Sequence, residues 1–244
     1  MAQIVALTEG AFTIDKTKRF VPFNLEEDDL QQRPKGSLLV EIQPFLVITS
    51  SDILLLDTGL GFTDTEGRLQ IHQNLSKHGI SPSDITKVLV SHLHNDHSGG
   101  LALPNKKIAA FENATYYINK QEWHYALEKD SSSYKPENFK FLERSGNLEF
   151  IEGDGVIDDY IHYEVTGAHC PYHQVFKIIE GEEIIFFGGD VSPQLQQMKN
   201  RFKAKYDFDG EKSMNLRQQW WKEGENEKWT FLFYHDIKNP LFSF

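Results

Sequence analysis

Over most of this chain, hydrophobic positions either alternate with polar ones at a spacing of two or gather in short apolar runs, with stretches of helical spacing between them. That pattern predicts strands in each half, separated by helices. Residues 3–8 and 11–21 alternate loosely and predict an opening pair of strands. The stretch 22–36 (PFNLEEDDLQQRPKG) carries an acidic run and two prolines and reads as a surface loop or short helix. Apolar runs at Leu38–Ile48 and Ile53–Leu56 predict two more strands, the second ending in Asp57-Thr58-Gly59. Helical spacing over 66–78 ends at Gly79, a fitting C-terminal cap. Ile85, Val88, Leu89 and Val90 then predict a buried strand over 85–90.

Further on, 107–111 and 114–118 read as β, and 120–129 as a helix capped by Asn119. Residues 130–147 are polar and irregular. Strands are predicted again at 148–151, 160–165, 174–179 and 183–187. A helix near 211–222 places Met214, Arg217 and Trp221 on one face and Leu216 and Trp220 on another. A last strand, Trp229–Phe233, leads into Tyr234-His235-Asp236. No repeat, low-complexity tract or flexible linker interrupts the order, so a single domain over 1–244 is expected. Its class is α/β (α+β), with two sheets face to face and helices outside.

The strand at 85–90 delivers His92-Leu93-His94-Asn95-Asp96-His97, three imidazoles and a carboxylate in six residues. In an extended backbone, side chains at i, i+2 and i+4 point the same way. On that reading His92, His94 and Asp96 converge while His97 points to an adjacent position, which suits two neighbouring cations. Imidazole favours zinc, and the carboxylate adds oxygen character that iron or manganese also accepts. Three more donors sit just past predicted strands, where loops carry function on a rigid sheet. They are His169, Asp190 after Gly188-Gly189, and His235. A carboxylate after two glycines can approach closely and bridge two ions.

Composition narrows the partners. A net charge of −11 argues against nucleic acid, which needs a concentrated basic face. One cysteine, Cys170, excludes an internal disulfide framework and a cysteine-rich structural zinc site. The opening residues lack a secretory pattern, and no apolar run reaches membrane-spanning length, so a cytoplasmic protein without membrane contact is expected. The expected partner is a small-molecule substrate; a homodimer stays open.

Asp57-Thr58-Gly59, the histidine cluster with Gly99-Gly100, His169, Asp190 and His235 together resemble the metallo-β-lactamase-fold hydrolase superfamily. The resemblance runs over nearly the whole chain. It implies a four-layer αββα sandwich with the site at one edge of the paired sheets. Carried over, His92, His94 and His169 would hold one metal, and Asp96, His97 and His235 a second, with Asp190 bridging both. Asp57 would orient a ligand from behind. His173 falls where the family often has a second histidine, but Ala168 and Tyr172 replace the usual glycines, so it reads as a supporting group. Cys170 reads as a buried thiol.

The reaction implied is hydrolysis by a metal-bridging hydroxide, with Asp96 as catalytic proton carrier. The absence of an export signal, a helical domain after His235, a basic surface and a flavin domain leaves the lactonase/organophosphate-esterase branch as the nearest in look. Residues 12–36 would then border the pocket. The expected activity is cleavage of a small ester or lactone. The alternatives are a phosphotriesterase or phosphodiesterase, and a binding protein that retains metal without turnover. Candidate pocket aromatics are Phe23, Phe62, Trp123, Tyr134 and Tyr172. Asp207 and Asp209, in a polar stretch, are expected to tolerate Asn.

Overall fold

A computed structural model describes residues 1–104, 108–129 and 131–244. The chain opens with β1 (Gln3–Ala6), β2 (Gly10–Ile14), β3 (Phe20–Pro22) and β4 (Leu38–Ile42). β2 pairs with β3 on one side and β4 on the other, forming a small three-stranded sheet. Next come β5 (Phe45–Ile48), β6 (Ile53–Leu56), α1 (Gln70–Lys77), β7 (Lys87–Leu89), α2 (Asn95–Ser98), β8 (Thr115–Asn119), α3 (Lys120–Glu128) and β9 (Leu148–Ile151). With β1, these strands build the first large sheet in the order β1-β5-β6-β7-β8-β9. The second large sheet lines up β10 (Gly155–Ile157), β11 (Ile161–Val165), β12 (Gln174–Glu180), β13 (Glu183–Phe187), β14 (Thr230–Leu232) and β15 (Leu241–Ser243) in sequence order. Between β13 and β14 lie α4 (Leu195–Lys199) and α5 (Gly210–Glu227).

The alternation along each strand decides the layers. Phe45, Val47, Leu54 and Leu56 face the second sheet and pack with Phe176, Ile178, Phe187 and Leu232. Their neighbours Leu46 and Leu55 face the other way, with Ile71 and Leu75 of α1 and Trp123 and Ala126 of α3. On the far side, Val175, Phe186 and Phe231 pack with Trp220 of α5 and Leu195 and Met198 of α4. The result is helix, sheet, sheet, helix, as expected.

Several expectations need correction. The run 38–48 is not one strand: β4 lies in the small sheet and β5 in the first large one, with the chain turning at Gln43-Pro44. Pro44 has no N–H to extend a ladder. Position 107 lies outside the described residues, and 108–111 forms only one bridge, Ala102 to Ala109. On α5 it is Trp220, not Trp221, that is buried with Met214 and Arg217. Trp221 is half-buried and stacks on Phe242, with ring centres 5.2 Å apart. The short β10 and β15, and α4, carried no periodic signal long enough to read.

Strand direction gathers the candidate residues. β6 and β7 are parallel, so Asp57 and the histidine cluster leave the sheet at the same end. β13 and β14 are also parallel, which brings Asp190 and His235 to one end of the second sheet. β11 and β13 are both antiparallel to β12, so the chain leaves β11 toward His169 at that end too. Gln174 sews the sheets together there, its side-chain amide donating to Val90 O at 2.7 Å. Among the described residues, no helix is long and apolar enough to cross a membrane.

Candidate metal centre

The cluster does not stay extended. His94 is the last residue with an extended backbone, and Asn95–Ser98 make one helical turn. The grouping expected from an extended strand is therefore corrected: Asp96 turns away from His92 and His94 and joins His97. One group of donors is His92, His94, His169 and Asp190; the other is Asp96, His97 and His235.

Asp190 stands between the two groups. Its Oδ2 lies 3.2 Å from His169 Nε2 and 3.9 Å from His92 Nε2. Its Oδ1 lies 3.1 Å from His97 Nε2 and 3.0 Å from His235 Nε2. Asp96 Oδ2 is 3.7 Å from His97 Nε2 and 3.6 Å from His235 Nε2. In the first group, His94 Nδ1 is approached by His92 Nε2 at 3.0 Å and by His169 Nε2 at 3.1 Å. One ring nitrogen has either one proton or one lone pair and cannot satisfy both neighbours.

The opposite ring nitrogens explain why these atoms face inward. His97 Nδ1 donates to Asp57 Oδ2 at 2.7 Å, and His235 Nδ1 to the Glu41 carbonyl at 2.7 Å. His92 Nδ1 meets Ser91 Oγ at 3.0 Å, and that hydroxyl donates to Asp57 Oδ2 at 2.6 Å. His169 Nδ1 lies 3.0 Å from Asp207 Oδ1. In each ring the partner on Nδ1 turns Nε2 toward the centre. His94 alone presents Nδ1.

Asp57 itself is fully buried and holds a left-handed backbone, φ 58°. Burial pushes its pKa up, while His97 and Ser91 pull it back. Its loop is locked to the cluster by Thr58 N donating to His97 O and Gly99 N to Gly59 O, both at 2.8 Å. Gly61 (φ 73°) and Gly99 allow this approach, since a Cβ on either would strike the other loop's backbone. Tyr234 stacks on His97 at 4.1 Å and donates to Asp96 O at 2.6 Å.

Electrostatics separates the two groups. Burial, then the neighbouring imidazoles, holds His92 and His94 well below the usual histidine pKa; Lys18, on the β2–β3 turn, adds to this at His94. These rings are neutral, as metal ligands must be. At His97 and His235, burial acts in the same sense but is outweighed by Asp190 and Asp96, with Asp57 adding at His97, and both are raised. Burial raises the Asp190 carboxyl, yet His235, His97 and His169 hold it well below the ordinary range.

The residues fit a pair of divalent cations. His97 Nε2 and Asp190 Oδ1 are buried, lie 3.1 Å apart and still form no hydrogen bond. They aim at common points rather than at each other, which is the geometry of ligands around ions. All the expected donors, His92, His94, Asp96, His97, His169, Asp190 and His235, are brought to this one edge. His173 is not among them: its Nε2 accepts from Asp190 N at 3.2 Å and so props the carboxylate. Cys170 is a buried thiol against Glu122.

Two expectations fail here. Trp123 does not line a pocket; it is fully buried behind the first sheet, 5.0 Å from Phe139. Tyr134 does reach the centre, 4.8 Å from the His94 ring. Asp207 is no indifferent loop residue, since its side chain is 1% exposed against His169. Asp209, by contrast, only caps α5, accepting from Lys212 N at 2.9 Å. Ser91 was readable beside His92; Asp207, far along a polar stretch, gave no signal.

Known proteins bear on this arrangement. The chain is 32% identical to the N-acyl homoserine lactonase AttM of Azorhizobium caulinodans over 111 residues, which are 41% of this chain and 38% of that protein. It thus spans well under half the length of that relative. It is 25% identical to an N-acyl homoserine lactonase of Bacillus cereus over 226 residues, covering 84% of this chain and 85% of the other. A probable metal-dependent hydrolase from Staphylococcus aureus superposes with a TM-score of 0.81 at 22% identity, over 99% of this chain and 92% of that one. The dizinc quorum-quenching lactonase AidC, in complex with a product, superposes at 0.72 and 20% identity, over 98% and 89%. These likenesses establish the fold. Residues 41–226 match the metallo-beta-lactamase superfamily, and with the donor set in the expected order this chain belongs to that superfamily.

Proposed function

We propose that this protein is a dinuclear metal-dependent hydrolase that opens a small lactone or cleaves a small ester. The observation that carries the reading is the split of Asp190, whose two oxygens face two separate histidine groups. His92, His94, His169 and Asp190 Oδ2 would hold one ion, and Asp96, His97, His235 and Asp190 Oδ1 the other. Zinc suits the mixed nitrogen and oxygen donors, and iron or manganese fits the same set. When bound, two such ions supply Lewis acidity toward a carbonyl oxygen and acidify water.

The chain's own residues do the rest. Asp57, Ser91 and the Glu41 carbonyl keep the imidazoles of His97, His92 and His235 in the tautomer that faces inward. Asp96 takes the proton of the attacking water as its oxygen bonds to the carbonyl carbon, and returns it to the alkoxide oxygen as the ester C–O bond breaks. Tyr134 walls the centre beside His94. The lactone is favoured over other esters because the sequence relatives named above are N-acyl homoserine lactonases.

The test joins metal analysis with a substrate panel: acyl-homoserine lactones, aryl esters, phosphotriesters, phosphodiesters and a glutathione thioester. Two metal equivalents, and lactone or ester cleavage that disappears on chelation and returns with metal, are expected. Cleavage confined to phosphoesters or the thioester rejects the substrate reading. Inactivity across the panel with both metals bound moves the weight to a protein that retains metal without turnover.

A further inference from the structure

The loop joining α4 to α5 lies along the His169 segment. Phe208 N donates to His169 O at 3.0 Å and Asp209 N to Ala168 O at 2.8 Å. These two bonds set Asp207 Oδ1 3.0 Å from His169 Nδ1, with the two side chains 1% and 6% exposed. The start of the same loop is held by Arg217, buried on α5, which donates through Nη2 to Phe202 O. Its Nη1 donates to Val191 O at 2.8 Å, one residue past Asp190. Among the described residues Arg217 forms no ion pair within 4 Å; burial lowers its pKa and the Asp207 charge opposes that. One loop thus touches His169 directly and is tied, through one buried guanidinium, to the backbone beside Asp190.

We propose that Asp207 is a positioning carboxylate of the metal centre, fixing the tautomer and direction of His169, and that the backbone of residues 200–209 is the strap that holds it there. The inference rests on the dinuclear reading above. A carboxylate on Nδ1 turns the Nε2 lone pair inward and makes the ring a better donor. His97 already has such a partner in Asp57. With Asp207, each group of donors contains one carboxylate-backed imidazole, whereas His92 leans on a hydroxyl and His235 on a carbonyl. Asp57 belongs to a recognisable motif; Asp207 stands in a stretch with none.

The test uses the full chain, stripped and reloaded with zinc alone, and reads both affinities by chelator competition. Asp207→Ala should weaken one of two zinc sites about tenfold to a hundredfold, the range for losing such a supporting partner. Asp207→Asn, which still accepts from Nδ1, should fall between that variant and wild type. Asp209→Ala removes the α5 cap and should lower the melting temperature while leaving both zinc affinities unchanged. If Asp207→Ala does not fold, a weakened site in Asp207→Asn carries the test. Wild type with two zinc and Asp207 variants within twofold of it at both sites overturns this inference alone. Asp209→Ala weakening zinc as much as Asp207→Ala also overturns it, by reducing the effect to loop packing. Wild type taking up no zinc overturns the dinuclear reading and this inference with it.

Discussion

The two ends of β6 and β7 both bury ionisable groups, and they do so in opposite ways. At the far end, Asp52 accepts from Lys87 Nζ, Tyr160 Oη and Thr86 Oγ1 at 2.5, 2.5 and 2.7 Å, and Lys87 reaches Asp158 as well. Its carboxylate oxygens are matched by donors, and its pKa is lowered, because those bonds outweigh the desolvation that would raise it. At the near end, His97 Nε2, Asp190 Oδ1 and Glu9 Oε1 are buried without a hydrogen bond. The same strands therefore carry a finished network at one end and an unfinished one at the other. Buried polar atoms left without partners are costly, so they mark where something else completes the set.

Asp190→Asn attacks the near end most directly. It should cost one metal equivalent and lower turnover about a thousandfold, about 4 kcal/mol on the barrier. Its thermal unfolding should move little by comparison. Full metal content at an unchanged rate would remove Asp190 from its bridging role.

Glu9 sharpens the comparison through pH. Burial pushes its carboxyl up to about 8, against a bond from Leu60 N that pulls it down. The folded pKa exceeds the unfolded one, 4.5, so between them the folded chain holds a proton that the unfolded chain has released. Stability from this group is therefore complete below about pH 4.5 and is lost as pH rises toward 8. In metal-free protein, Glu9→Gln should match wild type near pH 5 and exceed it near pH 8.5 by about 4 kcal/mol, on the order of 1.4 kcal/mol for each unit up to the folded pKa of about 8. A difference that does not grow with pH in denaturant titrations would contradict this.

Asp52→Ala tests the finished end. It strands Lys87, Tyr160 and Thr86 and should cost about 2 kcal/mol of stability, the range for charge-assisted bonds. Metal content and turnover per bound metal should stay at wild-type values; a change in either would join the two ends that the comparison separates. Smallest is Asn119→Ala, which removes the α3 cap, a side chain accepting from Gln121 N and Glu122 N at 2.9 and 3.0 Å. About 1 kcal/mol is expected, read as a drop in melting temperature.

The fold was legible where long patterns carried it. Ile53–Leu56 and Glu183–Phe187 are apolar enough to be strands under any reading. The donors were legible because four of them crowd into six residues after such a strand. What stayed hidden is instructive. The extended-strand reading groups Asp96 with His92 and His94, whereas one helical turn forms and sets it with His97 and His235, the grouping that the family resemblance implies. The carbonyl of Glu41 is a partner for His235 that no side chain advertises. Asp207 acts across 38 positions of sequence, and only the pairing of Phe208 and Asp209 with the His169 segment brings it near. Long-range partners of this kind are set by tertiary contact, which local pattern does not encode.

The interlocked backbones of residues 57–61 and 97–100 also bear on how such a chain can diverge. At Gly61, Gly99 and Gly100 a single methyl group would collide with the opposing main chain. Drift at these three positions is closed, and so is independent drift of either loop. New specificities must therefore arise elsewhere around the rim, at side chains whose exchange drives no atom into an opposing backbone. The β2–β3 turn, which carries Lys18, and the exposed side chains of Phe202, Tyr206 and Phe208 are where this sequence has room to vary.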